Sequence, residues 1–143
     1  MSKVTYYDVA IQDYEFLEYY FGYLDNAPSY NAFAVQEYNV VEMLLKDVLN
    51  CYVDSVDVVG LLKSHKLASI LREIKKCFPD CPLEMNDMRF LSDFYFDGRY
   101  PSSDYVLVEK KEAIEGFRIT KDVLKWVKSI KESNMGTKPI NAF

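Results

Sequence analysis

Apolar residues recur three and four positions apart along most of this chain. Tyr7, Ala10, Ile11, Tyr14, Leu17, Phe21 and Leu24 form the first such stripe. That spacing lines one face of a helix. Asp8, Asp13, Glu15 and Glu18 fill the other faces and read as a solvated surface. At Asn26–Ser29 the pattern breaks, because Pro28 has no amide proton and Ser29 can cap whatever follows. A second stripe runs through Phe33, Val40, Val41, Leu44, Leu45, Val48 and Leu49, which turns Asn39, Glu42, Lys46 and Asp47 outward. From Cys51 to Lys63 valines sit between acids and Gly60 interrupts any helix, so this span reads as a connector.

Ser64 is placed to cap a third helix whose apolar face is Leu67, Ile70, Leu71, Ile74 and Phe78. Pro79 and Pro82 end it. A fourth helix starts near Leu83 and carries Met85, Met88, Leu91, Phe94 and Tyr95 toward Gly98. After a non-helical stretch through Val108, the last helix spans about Glu109 to Lys131, with Ala113, Ile114, Phe117, Leu124, Val127 and Ile130 inward. The pattern therefore predicts an all-α protein. Its architecture is an antiparallel up-and-down bundle of four to five helices over residues 1–132, followed by a C-terminal tail at 133–143.

Composition narrows the function classes. A chain of 143 residues, half of them hydrophobic, is enough for one domain with its own core. A net charge of −5 disfavours non-specific DNA binding, which relies on Lys and Arg neutralising phosphates. Cys51, Cys77 and Cys81 cannot all pair within one chain, so reduced thiols and a cytoplasmic location are expected. No apolar run approaches the ~20 residues of a membrane span, and the N-terminus lacks a signal peptide's apolar core. The twelve tyrosines are too many for the core alone. Tyr6, Tyr7, Tyr14, Tyr19, Tyr20 and Tyr23 cannot share one stripe, so part of helix one is expected to form an aromatic interface, with a homodimer as the expected assembly.

One segment points to a family. Leu91-Ser92-Asp93-Phe94-Tyr95-Phe96-Asp97-Gly98-Arg99-Tyr100-Pro101 runs an aromatic helix end into an Arg-Tyr-Pro exit. It resembles the signature segment of HEPN domains, and other elements resemble theirs in the same order. These are the opening helix Tyr7–Leu24, the Ala34 to Lys46 helix, the His65-Lys66-Leu67-Ala68-Ser69-Ile70-Leu71 start, and the closing helix with Glu112-Ala113 and Leu124-Lys125-Trp126-Val127. The resemblance implies a helical bundle that forms a homodimer. It also implies nucleotide binding, or a toxin–antitoxin setting in which the partner is a minimal nucleotidyltransferase. HEPN ribonucleases place a His four to six residues after the Arg, where this chain has Asp104, Tyr105 and Val106. Only the Arg, as Arg99, carries over, so a non-catalytic binding domain is the expected reading. Asp104 is a poor acid for a leaving alkoxide, and its charge repels a phosphodiester. The alternatives are a metal-independent ribonuclease with a rearranged site at Arg99, Asp104 and Tyr105, and a purely structural module.

Each candidate has a plainer reading beside it. Arg99 can fork onto a phosphate, or it can close the loop through Asp93, Asp97 or Asp104. Tyr95 and Tyr100 can stack on a base or pack the bundle end. His65, next to Lys63 and Lys66 at a helix start, can touch an anion or serve structure. Cys77 and Cys81 have half the spacing of a metal site, but one His and a distant Cys51 do not complete four ligands. Neither a metal nor a cofactor is expected.

Overall fold

The structure is a computed structural model that describes residues 3–54, 57–97 and 107–133. Its elements are α1 (Tyr6–Phe21), α2 (Tyr30–Tyr52), α3 (Val58–Leu62), α4 (Leu67–Cys77), α5 (Met85–Asp97) and α6 (Lys110–Ser133), with a 3-10 turn at Leu24–Asn26. Among the described residues there are helices and connections, with no strand.

Caps set the boundaries at the N-terminal side. Thr5 forms a reciprocal capping box: its hydroxyl accepts from the Asp8 amide at 3.1 Å, and the Asp8 carboxylate accepts from the Thr5 amide at 2.9 Å. Those two bonds also hold the Asp8 carboxyl below its usual pKa. Ser29 caps α2 as expected, its Oγ accepting from the Ala32 amide at 3.1 Å. Ser29→Ala is expected to lower stability by about 1 kcal/mol in a urea titration.

α2 runs through the middle of the bundle. It packs against α1, α6, α5 and α4, and Leu44, Leu45, Val48 and Leu49 are fully buried along it. A helix packed against four others keeps little solvent face, with Ala32 and Asn50 its exposed positions. This overturns the outward placement of Glu42, Lys46 and Asp47, all of which are buried. α6 lies along α2 with Ala113, Phe117, Val123, Leu124 and Val127 in the core. Ile114 is 43% exposed instead of inward, because the buried stripe turns through Gly116 and Thr120.

Two further expectations change. Residues 58–62 form a short helix straight through Gly60, because Val58, Leu61 and Leu62 pack on the core and outweigh glycine's low propensity. Ser64 does not cap α4. The cap position is Lys66, and no side chain bonds into the first turn; the Ser64 hydroxyl accepts from the Lys66 amide itself. α4 still ends before Pro79.

The far end of the bundle is locked by one ion pair. Lys131 of α6 reaches Asp47 of α2 at 2.7 Å and lies over the Tyr7 ring at 4.6 Å. Burial pushes the Lys131 pKa down, but the hydrogen bond and charge of Asp47 outweigh this and hold it above the ordinary lysine value.

Candidate functional site

Three elements meet at the opposite end: the first half of α2, the start of α4 and the last turns of α5. Phe94 of α5 and Val108 both pack against Ala34 of α2, and the Val108 amide donates to Asn31 Oδ1 at 2.9 Å. The two residues that flank the segment 98–106 thus meet at this end. Arg99, Tyr100, Asp104 and Tyr105 belong to that segment and lie outside the described residues, as does the side chain of Tyr95.

His65 is described, and it is tied inward. Its Nδ1 lies 2.8 Å from Glu42 Oε1, an atom that also sits 3.0 Å from the Tyr38 hydroxyl. The same hydroxyl lies against the His65 carbonyl oxygen, so its single proton is shared between two acceptors. Lys46 completes the knot at 3.5 Å from Glu42 Oε2. Glu42 and Lys46 are buried, whereas half of the His65 side chain faces solvent. The knot fixes the residue that leads into α4 against the middle of α2. His65 thus positions the helix start.

Beside that start lies a cleft of about 400 Å³. Lys66, Leu67, Ala68 and Ser69 form one wall, and Arg89, Ser92 and Asp93 of α5 the other. The first amides of a helix have no intrahelical acceptors, and the helix dipole adds partial positive charge there. With no side chain capping α4, those amides open beside two exposed cations, Lys66 and Arg89. Arg89 is held by Asn86 Oδ1 at 2.8 Å, and the carboxylate of Asp93 is the one opposing charge on the lining. The arrangement suits a small anion. His65 is not on the lining.

A family model for the HEPN domain matches residues 15–130. The chain belongs to the HEPN family. No curated protein and no solved structure matches it. The match takes in the HEPN elements that build this end of the bundle, from α2 through the cleft to α6. Sequence reasoning found Lys66 but missed Arg89. The available signal was position: Asn86, Arg89 and Asp93 are three and four apart on the polar face of α5, opposite Met88 and Leu91.

Another buried carboxyl of the HEPN bundle stands five residues before Glu42 on α2. Glu37 is 0% exposed, and among the described residues neither carboxylate oxygen has a hydrogen-bond partner. Burial pushes its pKa up to about 10, so it is a neutral acid at pH 7. It lies directly over Gly116 of α6, where a Cβ would stand 2.8 Å from Glu37 Cδ and closer still to Oε1. Any side chain at 116 would force the buried Glu37 carboxyl to move. Gly116→Ala is expected to cost about 1–3 kcal/mol. In a Glu37→Ala background the same change should cost much less, which a double-mutant cycle of urea titrations measures.

A larger cleft, about 540 Å³, lies between the start of α5 and α6, but its chemistry is different. Its one guanidinium, Arg118, is already held by Glu115, Asp122 and Asp87 at 2.6, 2.7 and 3.5 Å. Glu84 adds another carboxylate to the lining. With Lys125 as its other cation, this lining carries three carboxylates against two positive charges, a poorer match to an anion than the cleft at α4. Among the described residues no group of His, Cys, Asp and Glu is placed to hold a metal ion, and Cys77 is exposed while Cys81 is buried. No helix among them is long and apolar enough to cross a membrane.

Proposed function

We propose that this HEPN domain is a non-catalytic binding module that takes a nucleotide phosphate in the cleft between α4 and α5. The observation that carries this reading is the uncapped start of α4 opening beside Lys66 and Arg89. Each amide and each cation offers a donor to phosphate oxygens, and water is the competitor they must outbid. Arg99, Tyr100 and Tyr95 are proposed as further contacts, because they follow the lining residue Asp93 within seven positions of the chain. His65 contributes indirectly, through its hold on the start of α4. The protein acts as a homodimer, to be read by light scattering at micromolar concentration, where a monomer would count against that part of the proposal. The partner that the family offers is a minimal nucleotidyltransferase.

Two features support binding without chemistry. The site end places no second histidine near the cleft, because His65 is the only one in the chain and Glu42 holds it. The one carboxylate on the lining, Asp93, already has an interaction of its own and has no imidazole beside it on the lining to complete an acid–base pair. Purified protein free of contaminating nuclease is therefore expected to leave structured and unstructured RNAs intact. Cleavage that disappears on Arg99→Ala would establish the ribonuclease alternative instead.

A thermal-shift panel with ATP, GTP, other nucleotides and short RNAs tests the binding. A ligand present at a hundred times its Kd should stabilise the fold by about 2.7 kcal/mol. The gain should vanish in Lys66→Gln/Arg89→Gln, whose side chains are exposed and leave the core intact. A shift unaffected by that variant, or none with any nucleotide, would refute the assignment.

A further inference from the structure

We infer that the outer face of α1 is a docking surface for a basic, amphipathic segment of another protein. This inference is independent of the phosphate cleft. Phe16, Tyr19, Tyr20 and Tyr23 are 54%, 65%, 46% and 58% exposed. They are not scattered. Phe16 and Tyr20 have ring centroids 4.6 Å apart, Tyr19 and Tyr20 5.6 Å, and Tyr19 and Tyr23 5.5 Å. Rings that already hold one another lose little freedom when a partner covers them, which is where aromatic anchors gain over flexible side chains. Beside them runs an apolar groove of about 360 Å³, floored by Ala27, Pro28, Ala32 and Phe33 and walled by Phe16 and Tyr20. A ridge beside a groove accepts the apolar side of a helix.

Charge identifies the occupant. From Val4 to Leu24 the chain has no Lys or Arg, against four Asp and Glu. Asp13 lies one helical turn from Phe16, and Glu15 one turn from Tyr19, while Glu18 is exposed further round the same helix. Among the described residues no ion pair engages these three; the nearby Asp25 is taken by Lys110. An aromatic surface framed by unpaired carboxylates favours cations both by charge and by the rings' negative faces. The same carboxylates disfavour nucleic acid. They also oppose a second copy of α1, since a two-fold contact would bring Glu15 and Glu18 against their own counterparts.

The test is fluorescence anisotropy with a labelled peptide of about four helical turns, carrying Leu on one face and Lys on the rest. Saturable binding is expected, weakening as salt rises. Phe16→Ser/Tyr19→Ser/Tyr20→Ser leaves the net charge unchanged and should weaken binding by roughly tenfold or more. Tyr19→Ser/Tyr23→Ser, which alters only the two most exposed rings, gives the same reading if the triple variant loses its melting transition. Glu15→Lys/Glu18→Lys should weaken binding as well. Equal binding of a Lys peptide without Leu, or binding indifferent to the ring variants, would overturn the inference in favour of unspecific charge attraction. So would a dimer in sedimentation that Tyr19→Ser/Tyr23→Ser dissociates, which would make a second copy the occupant. Tighter peptide binding after removal of residues 134–143 would assign the groove to the chain's own tail.

Discussion

Replacing Glu42 with alanine is expected to lower the unfolding free energy by about 3–5 kcal/mol, the largest loss of any single polar change in this bundle. The carboxylate is the hub that Lys46, His65 and Tyr38 share, and Lys46 is as buried as Glu42 itself. Removing the hub leaves an ammonium in the interior with no counter-charge, together with a phenol and an imidazole that lose an acceptor. The consequence extends beyond stability. Without the Glu42 contact the His65 ring loses its anchor on α2 and only the Tyr38 hydroxyl still reaches the His65 carbonyl, so the start of α4 loosens and nucleotide affinity falls with it. Urea titrations of Glu42→Ala and of Glu42→Met/Lys46→Met separate the contributions. The double variant removes both charges and should recover most of the loss, while an equal loss in both would mean that the pair itself is not what the single variant breaks.

The second large effect is a gain. Glu37 is neutral in the fold and ionises freely in the unfolded chain above its ordinary value of 4.5. The unfolded state therefore binds fewer protons than the folded state between about pH 4.5 and about pH 10, and stability falls as pH rises through that window. At pH 7 the penalty is about 3 kcal/mol, at roughly 1.4 kcal/mol per pH unit. Glu37→Met fills a similar volume with no ionisable group. It is expected to be more stable at pH 7, and its advantage over the natural protein should widen by about 2–3 kcal/mol between pH 5 and pH 7. An advantage that stays constant with pH would show that Glu37 is not held neutral in the fold.

Most of the bundle is written in the apolar periodicity. α1, α4 and α5 each have one buried stripe and one wet face, and their spacing alone places them. α2 escapes that reading because four other helices pack around it. A charged residue at i+4 from another charge looks the same in sequence whether it faces water or a paired interior, so Glu42, Lys46 and Asp47 were assigned to solvent. What reverses them is tertiary: α4 brings His65 and α6 brings Lys131, neither of which is near in sequence. Gly116 and Thr120 hid the true inner face of α6 for a similar reason, being small or polar where the helix approaches Glu37 and α2 most closely. The family was legible in motif order. The cleft was half legible: a basic residue at a helix start signals anion affinity, but the Arg89 wall depends on α5 packing antiparallel to α4, and no local pattern encodes it.

The central claim is that phosphate meets the first turn of α4. The most direct measurement is a titration of nucleotide into ¹⁵N-labelled protein, followed by the amide resonances. Saturable shifts at Leu67, Ala68 and Ser69, with the largest companion changes at Lys66 and Arg89, are the predicted result, and Lys66→Gln/Arg89→Gln should abolish them. Silent amides at the start of α4, or shifts gathered elsewhere on the surface, would contradict the account.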